Sequence, residues 1–439
     1  MTDVSHAHVF HSWSAQAGVD PMVVAGGEGA WFWDENGRRY LDFSSQLVNL
    51  NLGHQHPRIV AAIQQQATRL CTISPGFAND TRGRAARLIS QVAPGELRHV
   101  FFTNGGADAV EHAIRMARLT TGRHKVLTQY RSYHGATAGA ITLTGDPRRW
   151  ASEPSMPGVV RFIGPYPYRS AFYSATPEQE CARALAHLDE VLMFESPEAV
   201  AAILVETVVG TNGILVPPEG YLTGLRERCD RHGILLICDE VMSGFGRCGQ
   251  WFAVDRWDVV PDLITFAKGV NSGYVPLGGV IIGPRVYEAF ATRAYPGGLT
   301  YSGHPLACAA AVAAIETMRE EDIVGRARRI GEEIIGPRLA KIQDRHPSVG
   351  EVRGLGMFWA IELVRDRATR EMFVPFNASG AAAAPMNVLA AACKERGLWP
   401  FVHFNRVHVV PPLVTREEDL HRGLDILDEV LDLADRHFA

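Results

Sequence analysis

Two apolar runs, each followed by a charged residue, constrain the fold of this chain most strongly. Residues 234–238 are apolar and lead into Asp239, and residues 263–266 form a second run with Lys268 just beyond it. Continuous apolar runs of this length are typical of strands that are buried on both faces of a parallel sheet. Open α/β sheets bind ligands at the carboxyl ends of such strands. The sequence therefore predicts Asp239 and Lys268 close together at one edge of a parallel sheet.

A lysine and a carboxylate in this position suit a particular chemistry. Burial disfavours the charged form of a lysine, so that Lys268 can present a neutral amine, which is able to form a Schiff base with a carbonyl. Asp239 can keep a pyridine nitrogen protonated, and that makes pyridoxal phosphate an electron sink. Taken alone, each residue is better explained as an ordinary solvated strand end. The pair becomes informative only together with other motifs.

Four motifs occur in order along the chain. They are Val205-Glu206, the segment Asp239 to Arg247 (Asp-Glu-Val-Met-Ser-Gly-Phe-Gly-Arg), Phe266-Ala267-Lys268-Gly269, and Thr300-Tyr301-Ser302-Gly303-His304-Pro305. Together they closely resemble the motifs of class III aminotransferases, which are pyridoxal phosphate enzymes of fold type I. The resemblance extends from about residue 26 to about residue 413.

The resemblance implies an α/β fold with two domains. The large domain has a mostly parallel central sheet flanked by helices, and the small domain is α+β. We expect residues 1–55 to form the N-terminal segment of the small domain, 56–320 the large domain that binds pyridoxal phosphate, and 321–439 the C-terminal part of the small domain. A length of 439 residues agrees with more than one domain.

The resemblance also implies the residues of the site. Lys268 and Asp239 would be catalytic, and Tyr133 would stack on the cofactor ring. Thr300 would cross a homodimer interface to the partner's cofactor phosphate, with dimer or tetramer left open. The implied cofactor-binding residues are Gly105, Gly106, Ala107, Tyr133, His134, Glu206, Asp239, Val241, Lys268 and Thr300.

The glycine-rich turn at Gly105 and Gly106 has the features of a phosphate site. It lies between a predicted strand at 100–103 and a predicted helix at 108–121 that Gly122 ends. A helix start offers unpaired N–H groups and a positive dipole end, and glycine lets the backbone approach closely. Relatives often have two serines here, so that in this chain the backbone alone would hold the phosphate. An ordinary helix-start turn is the alternative.

The substrate side of the site is less well defined by the sequence. Relatives line the pocket with the loop after the first hairpin, which places Val48 there, and Tyr133 would also contact the substrate. A carboxylate or sulfonate is bound best by an arginine, and Arg406 precedes the pair Pro411-Pro412, although His408 stands closer to the register of the relatives' arginine. We expect an ω-amino acid or small amine, such as β-alanine or taurine, as donor and pyruvate as acceptor.

Two other functions are compatible with the same motifs. An aminomutase or an amine-phosphate lyase of the same fold would need no stoichiometric keto acid. A non-catalytic regulator that binds pyridoxal phosphate would need an attached DNA-binding helix-turn-helix, and almost the whole chain is taken up by the enzyme fold. Residues 150–173 are predicted to form a long loop, in which Arg161 and Arg169 either meet an anionic substrate or are solvated.

Composition excludes several kinds of partner. The formal net charge is −5 and no basic run is present, which argues against nucleic acid and anionic membranes. No stretch of about 18 apolar residues occurs, and the first ten residues do not resemble a signal peptide. Seven scattered cysteines without a Cys-x-x-Cys pair indicate free thiols in a reducing cytoplasm. No histidine pair has the spacing of a zinc hydrolase, so that no metal is expected.

Overall fold

The fold consists of three sheets and the helices that cover them, described for residues 8–438 by a computed structural model. In chain order the strands are β1 Val24–Glu28, β2 Trp31–Asp34, β3 Arg39–Asp42, β4 His99–Thr103, β5 Lys125–Gln129, β6 Val159–Phe162, β7 Val200–Glu206, β8 Leu235–Asp239, β9 Leu263–Phe266, β10 Gly278–Ile282, β11 Val349–Leu355, β12 Phe358–Asp366, β13 Glu371–Met372, β14 Leu398–Trp399, β15 Phe401–His403 and β16 Arg406–Val409. The α-helices are α1 Pro57–Arg69, α2 Asp80–Val92, α3 Gly106–Thr121, α4 Ala138–Leu143, α5 Pro177–Glu195, α6 Tyr221–His232, α7 Pro284–Ala289, α8 Pro305–Glu320, α9 Ile323–Ile330, α10 Gly336–Arg345, α11 Ala384–Glu395 and α12 Glu417–Asp435.

The central sheet has seven strands in the order β4-β10-β9-β8-β7-β5-β6. Strand β10 is antiparallel to both of its neighbours, and all other pairs are parallel. Every residue of β7, β8 and β9 is buried, as their continuous apolar runs predict. The expected α/β fold with a mostly parallel central sheet is therefore confirmed. The parallel pairing of β7 and β8 sets Glu206 beside Asp239 at the carboxyl edge.

Helices cover the central sheet, and their ends follow local sequence signals. Helix α3 packs against β7, β9 and β10 with one apolar face, and it ends at Gly122, which adopts the left-handed conformation that favours glycine (φ 71°). Helix α6 ends in the same way at Gly233. The alanine-rich helix α8 packs against α1 and α2 and is buried along most of its length.

The second sheet joins the two ends of the chain. Its order is β1-β2-β3-β14, and β14 lies parallel to β3 although more than 350 residues separate them. The hairpin of β2 and β3 turns at Asn36-Gly37, with Gly37 at φ 80°, as its sequence predicts. The third sheet contains β11, β12, β16 and β15, with β13 beside β12. The domain boundaries at residues 55 and 320 stay predictions.

One segment differs from the expectation. Residues 150–173 are not a plain loop, because they include the edge strand β6, which pairs with β5, and the 3-10 turn Pro167–Arg169. Farther along the chain, the helical segment that begins at Ile323 is divided into α9 and α10 by the π-helical turn Gly331–Ile335. Pro337 lies just after this turn and has no N–H to donate, which interrupts the regular helical ladder.

No helix within residues 8–438 is long and apolar enough to cross a membrane. All seven cysteines are free, and only Cys71 is exposed. Burial raises the pKa of the Cys238 thiol in β8, which keeps this cysteine in its unreactive form.

Candidate active site

The lysine and two carboxylates meet at the carboxyl edge of the central sheet. Glu206 and Asp239 end β7 and β8, and Lys268 follows β9 in a left-handed conformation (φ 48°). Such a backbone costs about 1–3 kcal/mol and occurs mainly at functional sites. Part of the lysine side chain stays accessible. Burial of its amine lowers the pKa of Lys268 to about 8, against the attraction of Asp239 and Glu206. The amine is therefore neutral much more often than an exposed lysine would be.

Asp239 is held in place by two partners. Its Oδ2 lies 2.7 Å from Nδ1 of His134, and its Oδ1 accepts the N–H of Val241 at 3.0 Å. His134 is buried, and its backbone N–H donates to Thr144 Oγ1 at 3.0 Å. Because each of its two oxygens has a partner, the Asp239 carboxylate is held in one orientation. The local motif Tyr133-His134-Gly135 and the motif beginning at Asp239 are thus parts of one hydrogen-bonded unit.

Glu206 is bound by the backbone and not by an arginine. Its two oxygens accept the N–H groups of Tyr133 and Gly210, each at 2.8 Å. Burial raises the pKa of Glu206 to about 7, and the charge of Asp239 acts in the same direction. Arg406 pairs with Glu362 and not with Glu206.

The predicted phosphate cradle lies at the start of α3. Gly105 precedes the helix in extended conformation, and no side chain caps it. A Cβ added at Gly105 would meet nothing within 4 Å, whereas one at Gly106 would lie 2.9 Å from Val241. Open space therefore lies beside Gly105 at the helix start, and Val241 lies against Gly106. An anionic group of the size of a phosphate fits this arrangement.

The guanidinium of Arg148 stacks on the ring of Tyr133. The Cζ of Arg148 lies 3.5 Å from the ring centre, within the range of a cation–π contact. Nε of Arg148 also donates to Asp146 at 2.9 Å. Burial is the main cause of the raised pKa of Tyr133. No sequence motif pointed to Arg148, because it lies in the segment 147–152, outside every motif.

Arg406 is fully buried in β16 and only half satisfied. Its Nε lies 3.3 Å from Glu362, its cross-strand partner in β12, while its two terminal nitrogens have no partner among residues 8–438. Gly213, in the short loop after Glu206, lies against Arg406 and Arg353, and a side chain there would collide with both. Buried donors without partners are rare and mark a place for water or ligand.

Two histidines next to Arg406 also have unpartnered nitrogens. They are Nε2 of His403, which stands opposite Arg406 in β15, and both ring nitrogens of His408. Burial, together with Arg148 and Arg406, lowers the pKa of His403 to about 3, and burial lowers that of His408 as well. Both histidines are therefore neutral, and each can offer one N–H donor without adding charge.

Comparison with known proteins decides the family. A family model described as aminotransferase class-III matches residues 14–431. The chain belongs to the class III aminotransferases. It is 36% identical to an acetylornithine aminotransferase of Methanopyrus kandleri, with 94% of each chain covered, and 34% identical to a 5-aminovalerate aminotransferase of Pseudomonas aeruginosa, also with 94% of each chain covered. The structure of a taurine:2-oxoglutarate aminotransferase from Bifidobacterium kashiwanohense, bound to pyridoxal phosphate and glutamate, superposes with a TM-score of 0.96 and 43% identity over 100% of this chain and 98% of that chain.

The cofactor of this class III aminotransferase is pyridoxal phosphate, as predicted, and the fold is type I. The residues present fit the group. A lysine with a lowered pKa, a fixed carboxylate for the ring nitrogen and an open helix start for the phosphate are arranged along one edge of the sheet. The individual roles that the sequence predicts for these residues stay predictions.

Two predicted site residues, Thr300 and Val48, are not among the residues that surround Lys268 within one chain. Thr300 lies on the surface, as a residue that serves a neighbouring subunit would. Val48 is 1% exposed and contributes to the core, in a turn whose residues Ser45, Gln46 and Val48 all have positive φ. Arg247 holds this turn by donating to Ser45 Oγ at 3.0 Å. The pocket-lining role of Val48 stays a prediction.

Proposed function

We propose that this class III aminotransferase transfers the amino group of an ω-amino acid, an aminosulfonate or a small amine, such as β-alanine or taurine, to a 2-oxo acid. The observation that carries the proposal is Arg406. Its buried guanidinium has two free terminal nitrogens, and a carboxylate or sulfonate is the group that they fit best. The names of the relatives, which include taurine and 5-aminovalerate, support a donor with its acid group far from its amine.

The residues around Lys268 have separate tasks in the proposed reaction. Pyridoxal phosphate, when bound, would supply the electron sink. Lys268 would hold it and, once displaced by the substrate amine, move a proton as general base and then as general acid. Asp239, which His134 orients, would keep the proton on the pyridine nitrogen. The lowered pKa of Lys268 supports this role, because a base must be neutral to accept a proton.

Other residues would position the cofactor. Backbone N–H groups at Gly105, Gly106 and Ala107 would hold the phosphate, and Tyr133 and Val241 would enclose the ring. Glu206, whose pKa is raised to about 7 by burial, would be mostly ionised only above neutral pH and would then add to the negative potential around the lysine. The reaction would be ping-pong, with donor and acceptor using the same pocket in turn.

The acceptor has two candidates. Pyruvate is the expectation from the sequence, and 2-oxoglutarate stands in the name of the relative from Bifidobacterium kashiwanohense. Both have the 2-oxo acid group that Arg406 would bind. They differ in a second carboxylate, so that any further cation in the pocket would discriminate between them.

A homodimer in a reducing compartment such as the cytoplasm completes the proposal. Arg82 donates to the carbonyls of Phe77 and Gly303, at 2.9 and 3.0 Å, and thereby joins two segments that expose Phe77 and Tyr301. Exposed apolar side chains in one patch favour a subunit contact, which would carry Thr300 to the partner. The seven free thiols agree with a reducing compartment.

A subunit-mixing experiment tests the role of Thr300. When Lys268→Ala and Thr300→Ala subunits form a mixed dimer, one of its two sites has both native residues if Thr300 acts across the interface. Tight cofactor binding would then return in the mixture. If Thr300 acts within its own subunit, no native site forms and the mixture stays defective.

The amino transfer itself is tested by its two halves. The purified holoenzyme is mixed with taurine, β-alanine, 5-aminovalerate or a simple amine without any 2-oxo acid, and the absorption of the cofactor is followed. We expect conversion to the amine form of the cofactor and its reversal by a 2-oxo acid. Steady consumption of the amine without any 2-oxo acid would instead indicate a lyase or mutase. An unchanged spectrum with every donor would contradict the proposal.

A further inference from the structure

The charged side chains around Tyr166 carry more positive than negative charge. The guanidinium carbons of Arg131 and Arg353 each lie 5.1 Å from the centre of the Tyr166 ring, and the Tyr166 hydroxyl donates to Glu362. Four guanidinium groups face two carboxylates in this region, so that two positive charges have no counter-charge. The members of this group, which we term the Tyr166 cluster, are Arg131, Arg169, Arg353, Arg406, Glu351 and Glu362.

The two carboxylates are already occupied. Glu362 is approached by Nε of Arg169 at 2.5 Å, by a terminal nitrogen of Arg353 at 2.7 Å and by Nε of Arg406 at 3.3 Å. Although burial alone would raise the pKa of Glu362, these guanidinium groups hold it well below its usual range. Glu351 pairs with Arg353. The charge that remains uncompensated therefore lies on Arg131 and on the free end of Arg406.

Arg131 is the member of the cluster that has neither an ion pair nor a side-chain hydrogen bond within residues 8–438. Its guanidinium lies between two aromatic rings, 5.1 Å from the centre of Tyr166 and 5.9 Å from that of Phe376. Tyr166 is buried and Phe376 is 42% exposed, so that Arg131 lies between the interior and the surface. Aromatic faces orient a guanidinium without neutralising it.

The backbone of Arg131 is also unusual. Its φ of 71° lies in the left-handed region, which is unfavourable for a residue with a long side chain and is typical of functional positions. Arg131 stands two residues before Tyr133, whose N–H binds Glu206. The same turn thus connects the cofactor side of the site with the Tyr166 cluster.

We propose that Arg131 binds the second acid group of a dicarboxylic 2-oxo acid and thereby selects such acceptors over monocarboxylic ones. The inference rests on the proposed function and deepens it. A partly or fully buried charge without a partner is unfavourable, and a substrate with two carboxylates would neutralise both the partly buried Arg131 and the free end of the fully buried Arg406. A substrate with one carboxylate would leave one of them unpaired.

Neighbouring arginines do not fit this role. Arg148 is already bound to Asp146, and Nε of Arg161 donates to the carbonyl of Thr144 at 3.2 Å. Arg149 provides a matched control for mutation. It lies over an aromatic ring, 5.8 Å from the centre of Tyr130, but its charge is paired with Glu153 at 3.1 Å.

The test compares two acceptors in the holoenzyme after its conversion to the amine form of the cofactor. For Arg131→Gln we expect kcat/KM to fall about 30- to 1000-fold with 2-oxoglutarate, the range for losing one partner of a desolvated ion pair. With pyruvate, the change should stay within about threefold. Arg131→Lys should recover part of the loss, and Arg149→Gln should leave kcat/KM unchanged with either acceptor. Glutarate cannot react, so its affinity can be measured by calorimetry, and Arg131→Gln should weaken its binding in the same way. The affinity for butyrate, which has one carboxylate, should be the same in the variant and the wild type.

Several results would overturn the inference. Equal losses with both acceptors would show that Arg131 only supports the structure, and no loss with either would show that it is solvated. A wild-type enzyme that uses pyruvate, rejects 2-oxoglutarate and does not bind glutarate would refute the role of Arg131 and leave the proposed amino transfer intact. If no acceptor reacts at all, the proposed function fails, and the glutarate titration still decides the role of Arg131.

Discussion

The two sides of the site differ in how completely their charges are paired. On the lysine side, Asp239 is bound by His134 and Val241, and Glu206 is bound by two backbone N–H groups. In the Tyr166 cluster, Arg131 forms no ion pair, and the terminal nitrogens of Arg406 form no hydrogen bond, with any residue of the described range 8–438. The protein itself therefore orients the groups proposed to handle the cofactor, whereas the proposed acid-binding side would be completed by a substrate.

The largest effect is expected from Lys268→Ala. Loss of the residue that would hold the cofactor and move the proton should lower kcat by about 10⁴-fold or more, and the absorption of the lysine-bound cofactor should disappear. Lys125, which pairs with Glu195 at 2.7 Å away from the site, provides the control. Lys125→Ala should keep activity within about twofold. Comparable turnover of both variants would show that the lysine side does not carry the chemistry.

Mutation of the central carboxylate of the Tyr166 cluster should mainly reduce stability. Glu362→Gln leaves three guanidinium groups without their shared counter-charge, and breaking a buried pair costs about 3–5 kcal/mol. Denaturant unfolding measures this loss. Glu351→Gln is the milder control, because Glu351 is 26% exposed and pairs with Arg353 alone. Equal stability of the Glu362 variant and the wild type would mean that the arginines do not depend on this carboxylate.

Mutation of Arg406 should separate binding from catalysis. Arg406→Ala removes the guanidinium proposed for the acid group, so that KM for the 2-oxo acid should rise about 30- to 100-fold. The value of kcat should change by less than about threefold, because the groups around Lys268 remain in place. Steady-state kinetics with the acceptor varied gives both values. If KM and kcat are both unaltered, Arg406 does not bind the acid group.

A smaller effect concerns the pH dependence of cofactor loading. The pKa of Lys268 is lowered to about 8 from an ordinary value of 10.5, so that the neutral fraction of its amine rises with pH and levels off above that value. The rate of cofactor attachment to the apoprotein should rise about tenfold per pH unit between pH 6 and pH 7.5 and become constant above about pH 9. Stopped-flow absorption measures it. A rate that still rises steeply at pH 9.5 would mean that the lysine is not perturbed.

The lysine side was predictable from the sequence because its signals are local. The apolar runs that became β8 and β9 are each followed by a charged side chain, and the helix predicted at 108–121 ends at its predicted residue in α3. Gly105, Gly106, His134 and Asp239 lie in short motifs whose spacing reflects strand, turn and helix start. The carboxyl edge of a parallel sheet then brings them together.

The Tyr166 cluster could not be predicted in the same way. Its members come from distant segments, and Arg406 meets Glu362 only through the pairing of β16 with β12. Arg169 was expected in a loop as a solvated residue or a contact for an anionic substrate, yet it binds buried Glu362. The edge strand β6 was not predicted, because this short segment is a strand through its pairing with β5 and has no clear strand pattern in its own sequence.

The most direct test of the central claim is to trap the cofactor on its lysine. The chain has four lysines, at positions 125, 268, 341 and 394. Borohydride reduces the C=N bond between lysine and cofactor to a stable amine, and mass spectrometry of the digested protein then locates the added mass. The account predicts the label on the peptide that contains Lys268 and on no other. A label on another lysine, or its persistence in Lys268→Ala, would contradict it.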